Sequence, residues 1–179
     1  MSDCCAVTPS ANTANIQAAA SAPTCPSCRD EGRAVEHRTM LQMLKPDRFA
    51  RLGTREFRFC QTPTCPIIYY STDGEVAFSA DDLRVKVGLK MQDDPSAQVC
   101  YCFGYTEGMI ADELRATGWT VIPQKITELI KTGMCACEAR NPAGVCCLGQ
   151  VNKAVKRLSE EGKASTEASL AQAHDCCSR

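Results

Sequence analysis

Fourteen cysteines in 179 residues, most of them in closely spaced pairs, constrain this chain more than any other feature. They read Cys4-Cys5, Cys25-x-x-Cys28, Cys60-x4-Cys65, Cys100-x-Cys102, Cys135-x-Cys137, Cys146-Cys147 and Cys176-Cys177. At roughly 8% of the residues, cysteine reaches the level at which a scaffold is stapled by sulfur or metal and does not rely on a large apolar core. The redox compartment decides between those staples. Residues 1–24 lack the basic and continuous apolar segments of a secretory signal. Nothing in the chain has the length and hydropathy of a membrane span. The expected setting is therefore cytoplasmic, where thiols stay reduced and grouped cysteines bind metal. A formal charge of -1 excludes an electrostatic case for nucleic acid or an anionic membrane surface.

The pattern between the cysteines divides the chain. Residues 1–23 are rich in Ala, Ser, Thr and Asn and read as a flexible tail carrying Cys4 and Cys5. From 24 to 92 the signals are those of a small β-module. Val35, His37, Thr39 and Leu41 alternate, as do residues 57–60, 67–70 and 83–87, and Asp73-Gly74 marks a hairpin turn into 76–78. Asp94, Pro95 and Ser96 lie at a polar boundary, and after it the period changes to that of helices over 96–160. Thr106 is placed to cap a helix ending at Gly118. Pro123 opens a second helix that stops at Gly133, and residues 142–144 open a third through Leu148, Val151, Val155 and Leu158. Residues 161–179 return to Ala, Ser and Glu and read as a second flexible tail, ending on Cys176 and Cys177. The fold class expected is α+β, a zinc-ribbon-like β-module followed by a helical module between flexible tails.

Two constellations carry chemistry. Cys25, Cys28, Cys60 and Cys65 supply four thiolates from two turns, the donor set of a structural zinc ion that substitutes for the core a small β-module cannot build. His37 and Asp47 are the substitutes if one cysteine is not used. A thioredoxin-like role for Cys25 and Cys28 fits less well, because a turn follows them where a helix is needed. Six thiols between Cys100 and Cys147 form the second set. An all-thiolate 2Fe-2S cluster takes four sulfurs in two pairs, and at this point either Cys135 or Cys137, and either Cys146 or Cys147, can complete the set. Helices beginning near Thr106 and Gly144 would set positive dipole ends beside that anionic cluster and favour thiolates at Cys146 and Cys147.

These residues resemble a known family. Tyr101-Cys102, followed by Thr106-Glu107-x-Met109-Ile110 and a Gly-x-x-Cys turn, is similar to the helical 2Fe-2S fold of bacterioferritin-associated ferredoxins. Residues 137–147, with Asn141, Pro142, Gly144, Cys146 and Cys147, resemble the N-terminal domain of CopZ-type copper chaperones more closely. In that family a zinc-binding β-module precedes a 2Fe-2S module, and Cys25-x-x-Cys28, Phe57-x-Phe59-Cys60-x4-Cys65, Val85-x-Val87-Gly88 and Val99-Cys100-Tyr101-Cys102 fit in the same order over residues 24–150. The resemblance implies Cys100, Cys102, Cys137 and Cys147 as cluster ligands, with Cys135 and Cys146 spare. It implies delivery of electrons, reducing Cu(II) to Cu(I), and as partners a metal-transporting ATPase or another metal-handling protein and a redox donor. One departure stands out. The Met-x-Cys-x-x-Cys copper loop of the family has no counterpart; Met134-Cys135-x-Cys137 is one residue short. That leaves Cys4, Cys5, Cys176 and Cys177 as the soft-metal sites, since vicinal thiols suit Cu(I) and similar ions. Two other functions fit the same residues: a ferredoxin-like electron carrier without metal cargo, and a thiol-based metalloid reductase. No triad or phosphate loop is present to indicate a conventional enzyme.

Overall fold

A computed structural model of the chain describes residues 23–91 and 94–175, with residues 165–175 described by backbone alone. Its strands are β1 (Arg33–Val35), β2 (Phe57–Phe59), β3 (Ile67–Ser71), β4 (Ala77–Ser79), β5 (Gln98–Cys100) and β6 (Tyr105–Thr106). Its helices are α1 (His37–Met43), α2 (Glu107–Thr117), α3 (Ile122–Lys131), α4 (Cys137–Arg140) and α5 (Leu148–Asp175). The first four strands make one antiparallel sheet in the order β1-β2-β3-β4, and β5 and β6 form a separate hairpin. No helix among the described residues is long and apolar enough to cross a membrane.

The strands of the four-stranded sheet are short, three to five residues each, and cysteine turns stand before β1 and between β2 and β3. Phe57 and Phe59 point to one face of β2 and are 2% and 1% exposed. They meet Phe78 and Tyr69 with ring centroids 5.7 and 5.8 Å apart, separations at which aromatic pairs add to simple burial. Met40, Met43, Leu44, Leu52, Ile68, Leu83 and Val87 complete this first core, and Ala143, distant in sequence, enters it as well. Burying each of the large side chains stabilises the fold by about 1.5–3 kcal/mol.

The second core lies under the helices. Val99, Ile110, Ile122, Ile126, Val151 and Ala154 pack around the buried Cys100, Cys137 and Cys147. The capping chemistry expected from the sequence is in place. The Thr106 side chain accepts the Met109 N–H at 3.2 Å, and Gly118 closes α2 at φ 78°, in the left-handed region that glycine enters without strain. Pro123 sits in the first turn of α3.

Four stretches differ from the expectation, the first being the third helix, which starts at Leu148 and not at 142–144, where the chain forms a turn. Residues 37–43 form a helix where alternation indicated a strand. Met40, Met43 and Leu44 make an i, i+3, i+4 stripe that is fully buried, whereas Leu41 is 41% exposed; the helical period places more apolar surface against the sheet. Residues 83–87 are also not a strand: Leu83 makes an isolated bridge to Leu44, and a 3-10 turn follows at Gly88–Lys90. Lastly, α5 runs on from 160 to Asp175 in one element, a stretch in which Ala and Glu, residues of high helix preference, make up seven of sixteen positions.

Candidate metal centres

The first centre is built by two turns with the same design. In the turn after Cys25, the Cys25 carbonyl accepts the Arg29 N–H and the Cys25 N–H bonds the Asp30 carbonyl, both at 2.9 Å. Arg29 takes a positive φ of 66° to let the chain reverse. The backbone amides of Ser27 and Cys28 thereby point at the Cys25 sulfur. Cys60 follows β2 directly, and its N–H is tied to the Ile68 carbonyl at 2.9 Å. The Thr62 amide addresses the Cys60 sulfur and the Ile67 amide addresses that of Cys65. Amides aimed at sulfur stabilise the thiolate, the form that ligates metal.

These turns bring four sulfurs together. Cys25 Sγ lies 3.7 Å from Cys65 Sγ and Cys28 Sγ 3.6 Å from Cys60 Sγ, and all four lie within 4.8 Å of one another. A disulfide would hold each pair at about 2.05 Å. A tetrahedral zinc ion with Zn–S bonds of about 2.3 Å spaces its sulfurs about 3.8 Å apart, the separation found here. His37 and Asp47 lie outside this group: His37 begins α1 on the surface, and Asp47 pairs with Arg48 at 3.2 Å.

Electrostatics lead to the same donor set. Burial pushes the Cys25 thiol up to about 12, against the pull of the Cys28 and Ser27 amides. Burial also raises Cys60, although its neighbour Lys90 favours the thiolate. Burial acts the same way on Cys65, yet hydrogen bonds from the Ile67 amide and from Ser27, Cys25 and Cys60 outweigh it and bring that thiol down to about 7. Four thiolates cannot share this volume without a cation. Lys90 is also held there by structure, its Nζ donating to the Thr62 carbonyl at 2.5 Å.

The second centre has a different shape. Cys100 ends β5, Cys102 lies in the turn that follows, Cys137 begins α4 and Cys147 immediately precedes α5. Their sulfurs meet in two pairs: Cys100 with Cys147 at 3.0 Å, and Cys102 with Cys137 at 3.6 Å. The Ala136 amide donates to Cys102 Sγ at 3.4 Å, and those of Phe103 and Cys102 address Cys100. Within the closer pair the Cys147 thiol donates, which holds Cys100 down to about 7 and raises Cys147. Burial carries Cys137 up to about 12. Cys135 is half-buried beside this group and Cys146 is exposed. Cys4, Cys5, Cys176 and Cys177 lie outside the described residues.

Two residues that hold these loops, Tyr69 and Thr39, carried no functional reading in the sequence, and Tyr101 entered only as part of the Cys100-Tyr101-Cys102 motif. Tyr69, fully buried, donates its hydroxyl to the Pro142 carbonyl at 2.7 Å, and Thr39 donates to the Glu138 carbonyl at 2.6 Å. The Tyr101 hydroxyl, inside the C-x-C turn, accepts the Gly88 N–H at 2.9 Å. The position of Tyr101 between two cysteines was a visible signal; the other two lie on elements with no sulfur nearby in α1 and four residues beyond Cys65 in β3.

Comparison with known proteins bears on the first centre and on the fold. Residues 22–84 match the family model described as a zinc binding domain, zf_CopZ. In three dimensions the chain is similar to the X-ray structure of the Archaeoglobus fulgidus CopZ N-terminal domain, at a TM-score of 0.59 and 27% sequence identity, over 73% of this chain and 95% of that one. No curated protein matches the sequence. The two similarities support a relationship to the CopZ type and a metal-binding role for the Cys25, Cys28, Cys60 and Cys65 group.

Proposed function

We propose that the chain is a cytoplasmic two-centre metalloprotein of the metallochaperone or metal-resistance type, with zinc at Cys25, Cys28, Cys60 and Cys65 and a 2Fe-2S cluster at Cys100, Cys102, Cys137 and Cys147. The observation that carries the reading is the arrangement of the second centre. Its four sulfurs form two pairs, each pair joining one residue of the C-x-C turn to one residue of the 137–147 segment, as two irons ligated in pairs require. The donor chemistry fits: soft sulfurs, three of them buried, with backbone amides directed at Cys100 and Cys102. A 2Fe-2S cluster, when bound, supplies one-electron chemistry.

The chain's own residues determine how that chemistry is used. Val99, Ile110, Ile122, Ile126 and Val151 are buried in one cluster with Cys100, Cys137 and Cys147 and keep water from it. Cys102 is only half-buried and Cys146 is exposed, so the centre comes within one residue of the surface, where a redox donor and an acceptor can exchange an electron. Cu(II), reduced to Cu(I) for a metal-transporting ATPase, is the acceptor that the sequence resemblance of residues 24–150 implies. Cys4, Cys5, Cys176 and Cys177 are the soft-metal donors proposed for such cargo.

Anaerobic purification followed by metal analysis, absorption and EPR tests the reading. One zinc and two irons per chain, with a rhombic signal on one-electron reduction, are expected. A colourless protein without iron from that preparation overturns it. A chain lacking residues 1–20 and 165–179 should keep its iron and lose tight Cu(I) binding.

A further inference from the structure

The segment 137–147 supplies two sulfurs to the second centre, yet the β-half of the molecule holds it in place. Thr39 on α1 donates to the Glu138 carbonyl at 2.6 Å and Tyr69 on β3 to the Pro142 carbonyl at 2.7 Å. Between them Ala143 is buried in the core formed by Met40, Phe57 and Tyr69. Gly144, at φ 64° in the left-handed region, lies beside α1, where an added Cβ would be in ordinary contact with Thr39 Oγ1 at 3.6 Å. Asn141 closes the loop internally, accepting the Ala143 N–H at 3.0 Å and donating to the Val145 carbonyl at 2.6 Å. The loop therefore has its own shape, and the two hydroxyls fix where that shape sits.

Of the two hydroxyls, that of Tyr69 depends on the first centre, while Thr39 holds the other end of the segment from α1. Cys60 and Cys65 flank the turn that joins β2 to β3, and the Cys60 N–H bond to the Ile68 carbonyl, 2.9 Å, precedes Tyr69 by one residue. Tyr69 in turn pairs in register with Phe59, next to Cys60. With four thiolates on a metal, this turn is closed and Tyr69 is held at the loop. Without the metal, two strands of three and five residues lose their staple.

We propose that metal loading of the first centre is transmitted through the positioning residue Tyr69 to the 137–147 segment, whose other end Thr39 anchors, so that an ion at Cys25, Cys28, Cys60 and Cys65 determines whether Cys137 and Cys147 are closed to solvent. This rests on the four-thiolate metal reading of the first centre and not on iron at the second. The order of assembly follows: zinc first, then the second metal on a preformed pair of loops. Each hydroxyl bond is of a size that changes the opening equilibrium of such a loop about threefold to tenfold.

Thiol labelling of the full chain in its zinc-loaded, iron-free form provides the test. A maleimide reagent is followed by mass spectrometry at Cys137, Cys146 and Cys147. Exposed Cys146 should label quickly in every sample, while Cys137 and Cys147, 5% and 1% exposed, should label slowly. Removal of zinc with a chelator should accelerate the latter two at least about tenfold. Tyr69→Phe and Thr39→Val should each accelerate them about threefold to tenfold with one zinc retained and Cys25 still protected, which a general loss of stability would not produce. In the double variant, chelation should add little. Zinc removal without effect on Cys137 and Cys147, or an equal chelator effect in the double variant and the parent, would overturn the proposal. If the labelling follows the expected pattern and anaerobic protein still holds no iron, the coupling stands and the cluster assignment fails.

Discussion

Single thiols in this chain differ sharply in what their surroundings allow, and the two neighbours Cys146 and Cys147 make the point. Cys146 is exposed, whereas Cys147 is 1% exposed and lies 3.0 Å from Cys100. Cys147→Ser is expected to lower iron to below half of the parent's content, and Cys146→Ser to leave it unchanged, both read by metal analysis of anaerobic protein. Cys135→Ser belongs with Cys146→Ser, because the Cys102 sulfur pairs with Cys137 at 3.6 Å. At the first centre the raised thiols set a pH dependence. Burial holds Cys25 at about 12 and raises Cys60, so both keep their protons near neutral pH and a metal must displace them. Displacing two protons weakens apparent zinc affinity about a hundredfold for each unit by which pH falls, through the range below those raised values. Competition titration with a chromophoric chelator at pH 8, 7 and 6 measures this; a flat profile would mean that the thiols are already ionised. The grouping of these cysteines was legible in their spacing. Which member of each spare pair faces inward was not, because it depends on how α4 and α5 start.

Elements were legible where a local signal agreed with packing. The cap Thr106, the stop Gly118 and the first-turn Pro123 each act through neighbours three or four residues away, and α2 and α3 follow them. Thr106→Ala should cost about 1 kcal/mol in urea denaturation. The next residue adds a long-range contact: Glu107, 8% exposed, pairs with Arg157 of α5. Arg157 is a third exposed and also holds Glu161 at 3.1 Å, so solvent screening limits the worth of the pair, and Glu107→Gln should cost about 1 kcal/mol. Double replacement with Arg157→Met should cost less than the sum of the two single changes, since they share a contact. The stretch 35–41 shows why other elements were hidden. Its alternation is real, but the buried stripe of Met40, Met43 and Leu44 runs at the helical period, and tertiary burial decides between two patterns written over the same residues. In the same way residues 83–87 alternate without a neighbouring strand to pair with beyond the single Leu44–Leu83 bridge.

At the scale of the molecule the chain reads as two modules in sequence, yet they share a core. Ala143 comes from the segment between α4 and α5 and is 5% exposed among Met40, Phe57, Phe59 and Tyr69. No periodicity or composition marks it, because its burial depends on partners about a hundred residues earlier. Its small side chain suits a site where the backbone of 142–144 passes close to Thr39 and Val35. A carboxylate there would have no partner, and an uncompensated buried charge costs several kcal/mol. Ala143→Asp is therefore expected to detach the segment while leaving the cysteines of both centres in the sequence. In the metal-loaded parent, zinc release and loss of helical ellipticity should coincide on heating, since the β-half and the helical half hold the same loop. In Ala143→Asp the two events should separate, the helical half melting at least about 5 °C before zinc is released, a shift equivalent to about 1–2.5 kcal/mol for a protein of this size. Coincident transitions in the variant would mean that the modules communicate through α2, β5 and the turn at Gly88, and that the shared core at Ala143 is a contact without mechanical consequence.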